Sequence, residues 1–185
     1  MWRWLAILVA VATLSALSGV GAYQLVRPAL DRGHTQWQEI AWTFPRDGWP
    51  AGRAFRCASC GEGGAGVELY VRPKIGFCNC DTGVADDDEV DRVADLDLIS
   101  ERFAPVEAGK AVRLADMAGR ARSYDLKMSD GSQHAAVGIA LSHRCDLLVA
   151  VAQGRASPEE LQRAALMFLK SDEMHHWMLA SLGGH

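Results

Sequence analysis

Nineteen consecutive residues, from Leu5 to Tyr23, carry no charge. As a helix rising 1.5 Å per residue, that run is about 28 Å long, close to the thickness of a bilayer's hydrocarbon core. It constrains the rest of the chain, which must fold either tethered to a membrane or after crossing one. Two readings stay open. A signal peptide would use residues 5–17 as its apolar region, with Val20-Gly21-Ala22 as the small residues before the cut. An uncleaved transmembrane anchor would use the whole run, with Trp2 and Trp4 at one interface and Tyr23 at the other. A buried core helix would show a polar face, and this run has none. No Cys follows it, which argues against a lipoprotein. Arg3 favours keeping the N-terminus inside, although Arg27 and Arg32 act against that bias. Both readings place the rest of the chain outside the cytoplasm, which would be the periplasm if the source is a Gram-negative bacterium, where disulfides persist.

The expected organisation is an anchor or signal over residues 1–26, a polar tether over 27–38 and one domain over 39–185. Without the apolar segment about 160 residues remain, enough for one domain with its own core. The net charge is −4 and no run of Lys or Arg occurs, so nucleic acid is not an expected partner. The expected partners are the membrane, through the N-terminal segment, and an envelope protein.

Alternation puts Ile40, Trp42 and Phe44 on one face of a strand, and residues 54–57 resume a strand after a turn. Residues 61–66 read as a flexible Gly-rich loop. Beyond it Val67, Leu69 and Val71 share one strand face, with Glu68, Tyr70 and Arg72 on the other. Residues 85–103 read as a helix, because Val90, Val93, Leu96, Ile99 and Phe103 recur three and four apart. Its acidic start, Asp86 to Glu89, complements the helix dipole. Residues 120–127, 133–142 and 145–153 form a β-meander, turned at Asp130-Gly131 and at Ser142-His143-Arg144. Ser157-Pro158-Glu159-Glu160 starts a helix running to about Lys170, with Ser157 as N-cap and Glu160 closing a capping box. The expected class is α+β, preceded by the hydrophobic N-terminal helix.

Three segments carry a family likeness: Phe44-Pro45-Arg46-Asp47-Gly48-Trp49, Gly119-Arg120 with Tyr124-Asp125, and Phe168-Leu169-Lys170-Ser171. In that order, over roughly residues 40–172, the chain resembles the PsbP-like fold and the DcrB-like envelope proteins that share it. The resemblance implies an antiparallel sheet flanked by helices. It carries over no catalytic residue, and the cysteine-rich insert from Cys57 to Cys80 departs from its pattern.

Cys57-Ala-Ser-Cys60 and Cys78-Asn-Cys80 are two close pairs, while Cys145 stands apart. Structural disulfides are the leading expectation. Pairing Cys57 with Cys80 and Cys60 with Cys78 would avoid a small strained ring within Cys78-Asn-Cys80, but four cysteines allow three connectivities. A zinc or copper site of four thiolates is the alternative, and the single residue between Cys78 and Cys80 weakens the zinc match. Thiol–disulfide exchange at Cys57 and Cys60 is the third reading, although no helix N-terminus follows to activate a thiol. Cys145 is expected to be free and packed as a small hydrophobe.

Met174, His175, His176 and Met178, with His185, have ligand types that suit copper; a frayed terminus is the plainer account. Asp81, Asp86, Asp87, Asp88, Glu89 and Asp91 lack the EF-hand alternation and its central Gly. Tyr124, His134 and His143 would meet only if the meander brought them together. No hydrolase, phosphate-loop or dinucleotide motif occurs. The expectation is a non-enzymatic, membrane-associated envelope domain whose cysteine-clamped loop shapes a binding or assembly surface.

Overall fold

The computed structural model describes residues 36–44, 48–77 and 80–183. The apolar run 5–23 and the tether lie outside them, except that the first strand already begins at Trp37. Among the described residues no helix is long and apolar enough to cross a membrane.

Eight strands are described: β1 Trp37–Ile40, β2 Arg53–Cys57, β3 Val67–Lys74, β4 Phe103–Pro105, β5 Lys110–Leu114, β6 Met117–Lys127, β7 Gln133–His143 and β8 Asp146–Gly154. They form one antiparallel sheet in the order β1-β2-β3-β8-β7-β6-β4, and β5 also pairs with β6. Three α-helices flank it: α1 Asp87–Val93, α2 Pro158–Leu169 and α3 Asp172–Leu182. The expected α+β sheet flanked by helices is present.

Strand alternation sorts side chains onto two faces. On the first face Leu69, Val71, Val137, Ile139, Leu148 and Ala150 are buried against Leu161, Ala165 and Leu169 of α2 and Met174, Met178 and Leu182 of α3. Both helices start on capping serines. Ser157 and Glu160 form the expected capping box with Pro158 in the first turn, and Ser171 caps α3. On the second face Ala136, Ala140, Leu147, Val149 and Val151 meet Val90, Val93 and Leu96. Here α1 lies so close to β7 that a Cβ on Gly138 would come within 2.8 Å of the Ala94 Cβ, which requires glycine there.

The helix expected over residues 85–103 ends at Val93 instead. Asp95 adopts a left-handed conformation (φ 53°), and its carboxylate takes Arg72 Nε at 2.6 Å and Lys74 Nζ at 2.7 Å from buried positions on β3. Pairing two buried cations outweighs continuing a helix whose local periodicity would have allowed it. Leu96–Leu98 makes one 3-10 turn, and Phe103 lies exposed in edge strand β4. The residues of the Gly119-Arg120…Tyr124 segment hold α1 in place. Arg120 donates to the Asp87 carboxylate at 2.7 Å and Tyr124 donates its hydroxyl to Asp91 at 2.5 Å. The acidic start of this helix is therefore tied to β6 through Asp87 and Asp91.

Candidate functional site: a disulfide-walled pocket

The cysteines pair differently from the expected cross-links. Cys57 at the end of β2 bonds Cys60, with Cα atoms 5.7 Å apart. Cys80 bonds Cys145, with Cα atoms 4.4 Å apart. Cys145 is exposed and bonded, not free and buried, because β7 continues through His143 and leaves Arg144 and Cys145 as the two-residue turn before β8. That turn projects the sulfur away from the sheet towards Cys80. Cys78 lies outside the described residues. Cys57 and Cys60 are thus held in one bond and Cys80 in another, and disulfide sulfurs are not the thiolates a zinc or copper site needs. Cys57-Ala-Ser-Cys60 leads into a 3-10 turn, Glu62–Gly64, and not into a helix that would depress a thiol pKa.

That turn orders the segment expected to be flexible. Gly61 N–H donates to the Ala65 carbonyl at 2.9 Å, and Gly63 and Gly64 take φ of 67° and 80°. Glu62 N–H donates to the Glu160 carboxylate at 2.6 Å, which ties the segment to the capped start of α2. The disulfide closes the turn ahead of this loop, and Glu160 holds the loop at Glu62, two residues beyond Cys60.

The loop is one wall of a pocket of about 640 Å³ on the second face, at the end of the sheet where β2 and β8 finish. Ala58, Ala65 and Gly66 line that wall, and Met128 to Asp130 with Ser132, from the β6–β7 turn, line the opposite one. The floor is a row of polar side chains set by register. Arg56, Glu68 and Gln153 are cross-strand partners on β2, β3 and β8, and His134 sits on β7 two residues before Ala136, the partner of Gln153. Glu68 organises the row. One carboxylate oxygen accepts Arg56 Nε at 2.9 Å and a terminal guanidinium nitrogen at 2.6 Å. The other accepts the Tyr70 hydroxyl at 2.7 Å and Gln153 Nε2 at 2.8 Å. Burial alone would raise the Glu68 pKa, but the hydrogen bonds from Tyr70, Arg56 and Gln153 together hold it below the ordinary carboxylate range. Burial, then the adjoining carboxylate, pushes the Tyr70 phenol well above its usual value, so it remains a donor. With its amide nitrogen on Glu68, Gln153 turns its oxygen to His134 Nδ1, 2.7 Å away. In the turn, Asp130 Oδ1 accepts the Ser132 hydroxyl at 2.7 Å and backbone N–H at 2.9 Å, which holds its carboxyl below the usual range.

The C-terminal ligand set does not converge. Met174 and Met178 are fully buried under α3, while His176 donates Nδ1–H to the Asp172 carbonyl at 2.7 Å and its ring centre lies 6.4 Å from that of His175. Residues adjacent on a helix point about 100° apart, which separates the methionines from their histidine neighbours. His185 lies outside the described residues. Among the described residues no three His, Cys, Asp or Glu side chains are placed to hold a metal ion. Tyr124, His134 and His143 also stay apart: Tyr124 serves Asp91, His134 serves Gln153 and His143 lies 3.6 Å from Asp116. Sequence reasoning missed the pocket row, although it placed Glu68 and Tyr70 on the correct strand face. A further signal was present in Gln153 and His134, polar residues at the ends of two apolar strands.

Fold and site together define an α+β domain with a polar pocket closed on one side by a disulfide turn. No family model matches the chain, and no curated protein matches it. Among solved structures, the crystal structure of a protein of unknown function, PA94 from Pseudomonas aeruginosa, is similar at 12% identity with a TM-score of 0.39, covering 78% of this chain and 93% of that one.

Proposed function

We propose that this chain is a non-enzymatic binding domain of the cell envelope, related to the PsbP-like and DcrB-like proteins and held at a membrane by its N-terminal segment. One observation carries the proposal: Ala58, inside the turn that the Cys57–Cys60 disulfide closes, lines the pocket. A disulfide closing a turn beside a pocket fixes the shape of a loop that would otherwise have to be ordered on binding, and such preorganisation raises affinity. The two disulfides support an oxidising compartment, in keeping with the apolar run ahead of the domain. Glu68 and Tyr70 are held in single protonation states by fixed hydrogen bonds, which suits a binding floor better than a proton-transfer site.

Native mass spectrometry of the full-length chain extracted from the envelope tests the proposal. The expected result is a bound species whose occupancy falls in the Cys57→Ser/Cys60→Ser double variant. Recovery of the chain from the cytosol, unchanged occupancy in the double variant, or turnover that depends on Cys57 or Cys60 would overturn it.

A further inference from the structure

The unsatisfied groups around the pocket have a definite chemical pattern. Glu68 is not among them, since each of its oxygens already accepts two hydrogen bonds. It acts by setting its neighbours. Because Gln153 gives its amide nitrogen to Glu68, its oxygen faces His134 and must be met by an N–H there. That places the proton of the neutral imidazole on Nδ1 and leaves Nε2 as a bare acceptor. Asp130 uses Oδ1 for Ser132, and its Oδ2 accepts no hydrogen bond among the described residues, although the charges of His134 and Arg155 act on the carboxylate. On the other side stand donors. Arg56 engages Glu68 through Nε and one terminal nitrogen, leaving the second terminal nitrogen unused. Arg155, just past the end of β8, acts on the Asp130 carboxylate through its charge but makes no hydrogen bond or close ion pair among the described residues.

The lining thus offers guanidinium donors from the β2 and β8 ends and acceptors from β7 and the β6–β7 turn. Its formal charges cancel, with Arg56 and Arg155 against Glu68 and Asp130. A simple anion would meet two carboxylates, and a metal cation would meet two guanidiniums. A molecule carrying both an ammonium and a carboxylate satisfies both sides at once, the carboxylate on the guanidiniums and the ammonium on Asp130 and His134 Nε2. Arg56 on β2 lays its guanidinium on Glu68 of β3, and β3 and β7 are two strand spacings apart, about 10 Å, so the ligand joining the two sides must be short. The pocket volume of about 640 Å³ leaves room for a side chain or a second residue.

We infer that the pocket binds a compact zwitterion, a free α-amino acid or the termini of a very short peptide. The inference rests on the pocket being the binding surface proposed above.

The test is a set of ¹H–¹⁵N spectra of the oxidised full-length chain in detergent micelles. It is titrated with L-alanine, L-alanyl-L-alanine, N-acetyl-L-alanine, L-alaninamide, inorganic phosphate and glucose. The zwitterions are expected to shift the amides of Gly66, Asp130, Gln153 and Arg155, and each blocked analogue to bind at least about tenfold more weakly, one charged contact being worth about that factor. Whether alanine or dialanine binds more tightly tells amino acid from peptide. Arg155→Gln should weaken the zwitterions while leaving alaninamide unchanged, and Asp130→Asn should weaken them while leaving N-acetylalanine unchanged. General damage to the fold would not produce those opposite selectivities. N-acetylalanine binding as tightly as alanine would overturn the inference. Phosphate or glucose shifting these amides while zwitterions do not would also overturn it, yet leave the pocket as a binding site. If no probe moves them, the inference and the pocket reading fall together.

Discussion

The two faces of the sheet are built on opposite terms. The first face is apolar and continuous: β3, β7 and β8 meet α2 and α3 through Leu69, Ile139, Leu148, Leu161 and Leu169, all with essentially no exposed surface. The second face has an apolar centre under α1 but carries charged and polar groups around it, namely Arg72 and Lys74 on Asp95, Tyr124 on Asp91, and the Arg56-Glu68-Gln153-His134 row. No buried side-chain nitrogen or oxygen among the described residues lacks a partner, so the buried part of the polar face is fully connected. The contrast divides the labour of the fold. Burial on the first face and under α1 supplies stability, which allows the rest of the second face to hold a hydrogen-bonded floor and an open pocket that add little to it.

The disulfides sharpen the contrast, since one closes a long loop and the other a short one. In the chain-entropy view, opening Cys80–Cys145, 65 residues apart, costs about 4 kcal/mol. Replacing both by Ser should therefore give the largest fall in the urea midpoint. Leu69→Ala, on the first face, should cost about 3 kcal/mol in the same assay and leave ligand selectivity alone. Opening Cys57–Cys60, three residues apart, should cost about 2 kcal/mol, yet this is the bond whose loss should impair the pocket. A larger stability loss for the short loop than for the long one would break the division between a bond that holds the fold and a bond that shapes the site.

The smallest effect concerns pH. Glu68 has a lower pKa folded than unfolded, so as pH falls the unfolded chain takes up the proton first. Its contribution is present at neutral pH and is lost as pH falls from about 4, the ordinary Glu range, through its lower folded value. Denaturation at pH 7 and pH 3 should show wild type losing more stability than Glu68→Gln over that interval. An equal loss would mean that the row is not anchored by the ionised carboxylate.

How far the sequence disclosed this division depends on where each signal lies. The meander of β6, β7 and β8 and the start of α2 were readable because their signals are local: long apolar strands, Gly131 in a turn, and Ser157 with Glu160 at a cap. Strand β5 escaped because only Val112 and Leu114 point inward from it. Helix α3 was hidden behind a His- and Met-rich string, although Met174, Met178 and Leu182 recur four apart after the capping Ser171. The end of α1 at Val93 could not be read locally, since the cause is Arg72 and Lys74 reaching Asp95 from β3. The same holds for the cysteines. That a disulfide turn would matter was legible, but the partner of Cys80 depends on where the β7–β8 turn lies in space. The pocket row depends on register across four strands, a long-range property with no local signature.

The central claim is that the Cys57–Cys60 turn is oxidised and borders the pocket. Its most direct test is a non-reducing tryptic map of the full-length protein taken from the envelope fraction, alkylated before digestion. The account predicts an unlabelled, internally oxidised peptide 57–74 and a linked pair of peptides 75–92 and 145–155. Alkylated Cys57 and Cys60, or a link from either to Cys78 or Cys80, would contradict it.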